Sequence, residues 1–154
     1  MRLKCLGASS AGNCYLLTSE SGETLILDCG ISIKEIKKGL DWNIKDVVGV
    51  LCTHNHLVHS KSVLELCKTG FHTVVPYLIS SKSETFGCGM KKSNFKIDTF
   101  ALTTIDGSWT HTNADGTPSP IFGFLLTHKE MGRMLYINDC EDVKWKFKAI
   151  NHNH

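Results

Sequence analysis

The sequence predicts a protein of mixed α and β structure. Short apolar runs recur along the 154-residue chain, and polar turns rich in glycine, asparagine or serine separate them, which is the pattern of successive β-strands. Two other stretches repeat apolar residues at three- and four-residue intervals, as a helix with one buried face does. Strands alternate with these helices in the first half and dominate the second half, so periodicity gives the class but no particular architecture.

The expected elements follow in chain order. We expect strands at residues 2–7, 13–18, 24–28, 47–51, 73–75, 95–97, 99–105, 109–112, 121–127 and 134–138. Helices are expected at 31–40 and 60–68, with further helical segments at 76–86 and 143–150. The hydroxyl of Ser60 can cap the second helix, and the stretches 88–94 and 113–120 have the composition of loops.

Composition is that of an ordinary globular domain, with 42% apolar and 21% charged residues. The length predicts one domain over residues 1–154. A net charge of +2 neither requires nor excludes a polyanionic partner. No apolar run approaches twenty residues and the N-terminus lacks an apolar signal core, so we expect no membrane partner. Seven cysteines without a Cys-x-x-Cys pair favour reduced thiols and a cytoplasmic location.

The segment 7–12 consists only of small residues and could be mistaken for a phosphate-binding loop. It lacks the Gly-Lys-Ser/Thr ending of that motif, so the interpretation as a P-loop fails. A hairpin loop that borders the functional site is the better interpretation.

Three histidines lie within six residues, directly after the predicted buried strand 47–51: His54, His56 and His59. On a helix, His54 and His56 would diverge, whereas on an extended loop both imidazoles can turn toward one point. Neutral imidazole binds zinc at about 2 Å. Isolated histidines are usually structural or solvated, but this cluster at a strand end predicts a metal site, and its spacing leaves the metal open.

The cluster resembles the His-x-His-x-Asp-His signature of the metallo-β-lactamase superfamily, with Val58 at the position of the aspartate. Residues 6–15 are similar to the first hairpin of WalJ/YycJ-like hydrolases, relatives of tRNase Z, RNase J and the phage anti-Pycsar phosphodiesterases. The resemblance extends to about Asn151. It implies an α+β fold, the αβ/βα sandwich, shortened in its second half.

The resemblance also implies a ligand set. His54, His56 and His111 match the three histidines of the family's first metal, and Asp139 matches its bridging aspartate. Three imidazoles and a carboxylate or water suit zinc with an open position, where water can be activated at neutral pH. Asp28 would support a histidine from behind and fix its tautomer, and a plain turn aspartate is the competing interpretation.

The second metal of the family lacks ligands in this sequence. Val58 has no donor atom, and the family's last histidine would lie beyond residue 154, so only His59 and Asp139 remain. We therefore expect one ion rather than two, zinc with manganese as the alternative.

The resemblance implies a metal-dependent hydrolase of phosphodiester bonds, in nucleic acid or a cyclic nucleotide, with a weakened site. Asp139 and His59 would be its catalytic residues, and His59 would bind a second ion or contact the phosphate. The alternative is a non-catalytic, metal-binding relative that serves as a binding or decoy module. Lactam or thioester hydrolysis is a third interpretation that nothing in the sequence selects.

A shortened second half would expose apolar residues at 121–126 and 135–137. We therefore expect the chain to pair there with itself, as a homo-oligomer, or with a partner.

Overall fold

The fold is that of a computed structural model, which describes residues 1–69, 71, 73–75, 88–89, 94–97, 100–106, 109–117, 119, 121–140 and 142–143. The strands are β1 (Arg2–Ser9), β2 (Gly12–Thr18), β3 (Thr24–Leu27), β4 (Val47–Leu51), β5 (Thr73–Val75), β6 (Cys88–Gly89), β7 (Asn94–Ile97), β8 (Phe100–Asp106), β9 (Trp109–Thr110), β10 (Phe122–His128), β11 (Gly132–Tyr136) and β12 (Asp142–Val143). The helices are α1 (Ile33–Gly39), α2 (Leu57–Ser60) and α3 (Val63–Lys68), and a 3-10 turn covers Ile44–Asp46.

The strands form two main sheets and a short ribbon. The first sheet has the order β1-β2-β3-β4-β5-β6, antiparallel from β1 to β3 and parallel from β3 to β6. The second has the order β11-β10-β8-β7 and is antiparallel throughout. Strands β9 and β12 pair as the ribbon. The parallel pairs require crossover connections, and the helices α1 to α3 lie in two of these. The predicted mixed α and β class is confirmed.

The central strands β2, β3 and β4 of the first sheet are covered on both faces, and their apolar side chains alternate between two cores. On β2, Cys14 and Leu16 join one core and Leu17 joins the other. The helix-side core also contains Ile36 of α1. The inter-sheet core joins the first sheet to Phe124 of β10. Each large side chain buried in this way stabilises the fold by about 1.5–3 kcal/mol.

The expected loop at 7–12 is shorter than the sequence suggests. Strand β1 extends to Ser9 and β2 begins at Gly12, so two residues remain for the turn. Gly12 has a φ of 145°, and a Cβ there would lie 2.3 Å from the carbonyl oxygen of Gly30. Glycine is therefore required where the hairpin packs against the segment after β3.

The expected helix 60–68 begins later, as α3 at Val63, and the short helix α2 (Leu57–Ser60) precedes it. Ser62 donates its amide to the carbonyl oxygen of Cys29 at 3.0 Å and its hydroxyl to that of Ile31 at 2.6 Å. These long-range bonds anchor the junction between α2 and α3. Ser60 is not the cap but the last residue of α2, where its hydroxyl donates back to the carbonyl oxygens of Asn55 and His56.

Several predictions for the second half are corrected or lie outside the described residues. Cys88–Gly89 is a strand rather than a loop, and Val143 lies in a strand rather than at a helix start. The helical segment at 76–86 and residues 144–150 lie outside the described residues.

The expected apolar surface on the second sheet is largely buried. Ile121, Phe124 and Leu126 are at most 1% exposed, and Leu135 is the exposed member at 36%. For Phe124 and Leu126, burial in the inter-sheet core accounts for this, since alternate residues of β10 face the first sheet.

In the described part of the chain, no helix has both the length and the apolar character needed to cross a membrane. Six of the seven cysteines are free thiols: Cys5, Cys14, Cys29, Cys52, Cys67 and Cys140.

Candidate metal centre

The histidine segment is extended where it leaves β4. Thr53 anchors it on both sides: its amide donates to Asp28 Oδ1 at 2.8 Å, and its carbonyl oxygen accepts from the amide of Phe122 at 2.8 Å. His56 has φ −64° and ψ 140° and stands at the N-cap of α2. His54 and His56 therefore turn inward from an extended backbone, while His59 comes from the helix.

A close backbone contact holds α2 in place. The amide of Cys29 donates to the carbonyl oxygen of His59 at 2.7 Å. At Gly30, a Cβ would lie 1.7 Å from the carbonyl oxygen of Val58. No other residue fits at Gly30 without displacing the helix that carries His59.

Four histidine rings converge on one centre. The ring of His54 lies 4.7 Å from that of His56, 4.2 Å from that of His59 and 4.9 Å from that of His111, between centroids. His111 Nε2 lies 3.0 Å from His56 Nδ1. Two groups of donor atoms are close enough to hold an ion: His54 with His56 and His111, and His54 with His59 and Asp139. His54 belongs to both groups.

Asp28 is the buried acceptor behind the centre. Its carboxylate is fully buried and accepts from Thr53 Oγ1 at 3.0 Å, His59 Nδ1 at 2.8 Å, Tyr136 OH at 2.8 Å and Asn138 Nδ2 at 3.3 Å. These donors come from three parts of the chain, so Asp28 ties the ends of β3, β4 and β11 to α2. Its φ of 55° is a left-handed conformation that aspartate tolerates better than most residues.

Hydrogen bonds to Asp28 fix the protons of two imidazoles. Thr53 Oγ1 has a single proton, which goes to Asp28, so the hydroxyl accepts from Nδ1–H of His54 at 3.1 Å. Nε2 of His54 then carries the lone pair that faces the centre. His59 donates from Nδ1 to Asp28, so Nε2 is the nitrogen it can offer to an ion.

Asn113, in a surface loop, fixes the position of the proton on His56. Nε2 of His56 lies 2.8 Å from Asn113 Oδ1 and donates to it. The lone pair of His56 is therefore on Nδ1, the nitrogen that faces His111. Asn113 was not among the predicted site residues, although this asparagine lies only two residues after His111, in a stretch with the composition of a turn.

The donor set fits a metal cation. His54 is fully buried, and among the residues that the structure describes its Nε2 has no hydrogen-bond partner, although a buried polar atom is costly when it is unpaired. Burial, with the neighbouring rings of His59 and His56, lowers the pKa of His54 to about 3. A neutral, inward-facing imidazole nitrogen without a partner is the donor that zinc or a similar ion prefers.

His59 and Asp139 form the more polar side of the centre. Asp139 Oδ2 lies 3.0 Å from His59 Nε2 and 3.8 Å from His54 Nε2, and its side chain is 38% exposed. Burial lowers the pKa of His59, but the hydrogen bond and charge of Asp28, together with Asp139, outweigh burial and raise it. The side-chain nitrogen Nδ2 of Asn13, in the first hairpin, lies 3.4 Å from His59 Nε2.

The structure thus brings together the residues expected at the site. The resemblance gives Asp139 as a bridging aspartate that remains with His59 for the second metal, and its carboxylate lies with His54 and His59. Asp28 lies behind His59 and Thr53. Tyr136 is a second residue that no sequence pattern indicated, and it reaches Asp28 across 108 residues of chain.

Solved structures with the same fold include the metallo-beta-lactamase fold protein YhfI from Bacillus subtilis, with a TM-score of 0.61 and 17% identity. That match covers 89% of this chain and 61% of YhfI, so the chain spans less than two thirds of YhfI. The short form of human tRNase Z matches with a TM-score of 0.51 and 16% identity, over 92% of this chain and 70% of that enzyme.

No curated protein sequence gives a significant match to the chain. The profile of the metallo-beta-lactamase superfamily matches residues 9–85, half of the chain. That range includes the second strand of the first hairpin, Asp28 and three of the converging histidines. The fold and the sequence profile agree, and the chain belongs to the metallo-beta-lactamase superfamily.

Proposed function

We propose that this chain is a metal-dependent hydrolase of phosphodiester bonds, in nucleic acid or a cyclic nucleotide, of the WalJ/YycJ-like branch. The observation that carries the metal-dependent part is the buried Nε2 of His54, which lies close to the nitrogens of His56 and His111 and has no hydrogen-bond partner in the described part of the chain. The similarity of fold to tRNase Z and the first hairpin support the choice of phosphodiesters.

We expect one ion, zinc with manganese as the alternative. Nε2 of His54 has a single lone pair, so it can serve only one of the two donor groups at a time. The group of His54, His56 and His111 then leaves one coordination position open for substrate or water. Val58 adds no donor to the other group.

A zinc ion in that position would act as a Lewis acid on the phosphoryl oxygen and lower the pKa of water. The chain's own residues would handle protons and charge around it. His59, held between Asp28 and Asp139, presents Nε2 to the centre, and its raised pKa favours an imidazolium that attracts a phosphate oxygen. Asp139 is the exposed carboxylate that can accept a proton from the attacking group.

The first test is the metal content of the full chain purified without chelator, measured by inductively coupled plasma mass spectrometry. We expect close to one zinc per chain, and loss of that zinc in His54→Ala. Leu64→Ala, at an exposed position on α3, is the control and should retain it. A wild-type protein without metal would contradict the proposal.

The second test is turnover of an activated phosphodiester, of cyclic nucleotides and of RNA with a free 3′ end. Activity that depends on His54 and on added zinc supports the hydrolase. Zinc binding without turnover of any of these substrates would favour the alternative, a non-catalytic relative that binds metal.

Val58→Asp separates a weakened enzyme from an inactive one. The introduced carboxylate would give the group of His59 and Asp139 a third donor that does not depend on His54. We expect more than one zinc per chain and faster phosphodiester turnover. Unchanged stoichiometry and rate would show that Val58 does not limit the site.

A further inference from the structure

The loop 113–117 is an ordered turn beside the metal centre. The amide of Asn113 donates to the carbonyl oxygen of Thr117 at 2.8 Å, and the amide of Gly116 donates to that of Asn113 at 2.9 Å. Gly116 has a φ of 80°, which glycine adopts without strain. The loop thus returns on itself and holds the side chains of Asn113, Asp115 and Thr117 close together.

These side chains form a directional chain of hydrogen bonds. Thr117 donates its only hydroxyl proton to Asp115 Oδ1 at 2.6 Å. Its oxygen therefore accepts from Asn113 Nδ2 at 2.9 Å. With the amide nitrogen of Asn113 on that side, Oδ1 must point the other way, toward His56 Nε2 at 2.8 Å.

The direction of these hydrogen bonds decides which nitrogen of His56 can bind a metal. A reversed amide would present NH₂ to His56 Nε2, which would then have to accept. The proton of the ring would move to Nδ1, the nitrogen that faces His111 and the centre. A protonated nitrogen has no lone pair for an ion.

We propose that Asn113 is a positioning residue for His56, and that Asp115 and Thr117 orient the Asn113 amide so that His56 offers Nδ1 to the metal. This role concerns the metal centre of the proposed function and rests on that function. It assigns a role to a surface loop whose members are not themselves ligands.

The first test reads the tautomer of His56 in zinc-free protein, by ¹⁵N NMR of the imidazole nitrogens. In the wild type, we expect the proton of neutral His56 on Nε2. Thr117→Val removes the hydroxyl at nearly constant shape and should give a mixture of tautomers, while Thr117→Ser should restore the wild-type spectrum. Ala114→Ser, at an exposed position in the same loop, is the control.

The second test measures zinc affinity by competition with a chromophoric chelator. Loss of an outer partner of a metal-binding histidine weakens the affinity about 10- to 100-fold, and we expect a loss in this range for Asn113→Ala. Thr117→Val should weaken zinc binding by a smaller factor and Thr117→Ser should not. Thermal unfolding of the zinc-free variants should stay close to the wild type, because the loop is exposed.

Two results would overturn the proposal. One is a wild-type tautomer of His56 in Thr117→Val together with unchanged zinc affinity. The other is equal damage by Thr117→Val and Thr117→Ser, which would indicate disruption of the loop rather than of the hydroxyl link. The NMR test needs neither turnover nor bound metal, so failure of the hydrolase proposal and failure of this one remain distinguishable.

Discussion

Two hydrogen-bond relays end on neighbouring histidines of the metal centre, in opposite surroundings. The buried relay runs from Asp28 through the hydroxyl of Thr53 to His54, and all three side chains are fully buried. The surface relay runs from Asp115 through Thr117 and Asn113 to His56, and its carboxylate and hydroxyl are exposed. Both begin at a carboxylate and pass through a threonine, so both orient a ring by the same chemistry.

The difference lies in what else each relay does. Asp28 also accepts from His59, Tyr136 and Asn138, so it joins separate strands of the fold. The described bonds of Asp115 are made within its own loop, to the amide and hydroxyl of Thr117. The buried relay therefore combines orientation with stability, whereas the surface relay can change without loss of the fold.

The largest expected effect is that of Asp28→Asn. The buried amide would meet several donors with one acceptor oxygen, and loss of one partner of a buried charged pair costs about 3–5 kcal/mol. Urea unfolding of the zinc-free protein measures the loss in free energy of unfolding. Asp115→Asn should leave that free energy essentially unchanged, and equal losses in the two variants would contradict the comparison.

The buried relay was only partly predictable from the sequence. His54 follows from the histidine cluster after a strand, and Asp28 from the family resemblance. Tyr136 ends a strand of the other sheet and Asn138 follows that strand, and no local pattern in a sequence indicates such a long-range contact.

The surface relay was not predictable as part of the site. Its residues have the composition of an ordinary turn, and the functional contact joins Asn113 to a histidine 57 residues away. The separation of α2 from α3 was missed for a related reason, since a tertiary bond from Ser62 to Cys29 anchors the junction between the two helices.

The second-largest expected effect is on the stabilisation of the folded state by zinc. An ion that binds only the folded state stabilises it by about 2.7 kcal/mol at 100 times Kd. At a zinc concentration that saturates the wild type, we expect Asp115→Asn to keep most of this stabilisation and Asp28→Asn to lose most of it. Thermal unfolding with and without zinc, and after chelation, measures the gain, and a wild-type protein indifferent to zinc would refute the prediction.

The hydroxyls of Thr53 and Thr117, one in each relay, allow a closer comparison of the two relays. Thr53→Val leaves Nδ1–H of buried His54 without its acceptor, which costs about 1–3 kcal/mol. Thr117→Val affects an exposed hydroxyl, and water can replace its hydrogen bonds. Unfolding of the two zinc-free variants under the same conditions tests this, and a larger loss in Thr117→Val would reverse the proposed order.

The smallest expected effect concerns pH. Hydrogen bonds from the side chain and amide of Thr117 lower the pKa of the Asp115 carboxyl. The folded state therefore favours the carboxylate, and this stabilisation is present above the unfolded-state pKa and is lost as the pH falls through the folded-state pKa. Wild type and Asp115→Asn should differ slightly in stability near neutral pH and converge in acid. A difference that grows on acidification would show the opposite sign.

The membership of His54 in both donor groups has a consequence for metal titrations. An ion bound to one group removes a ligand from the other, so a second ion must bind with fewer protein donors and beside an existing positive charge. We therefore expect metal binding at the two groups to be anticooperative. The same chain would hold a single ion over a wide range of metal concentrations, and excess metal would compete for the ring that holds the first.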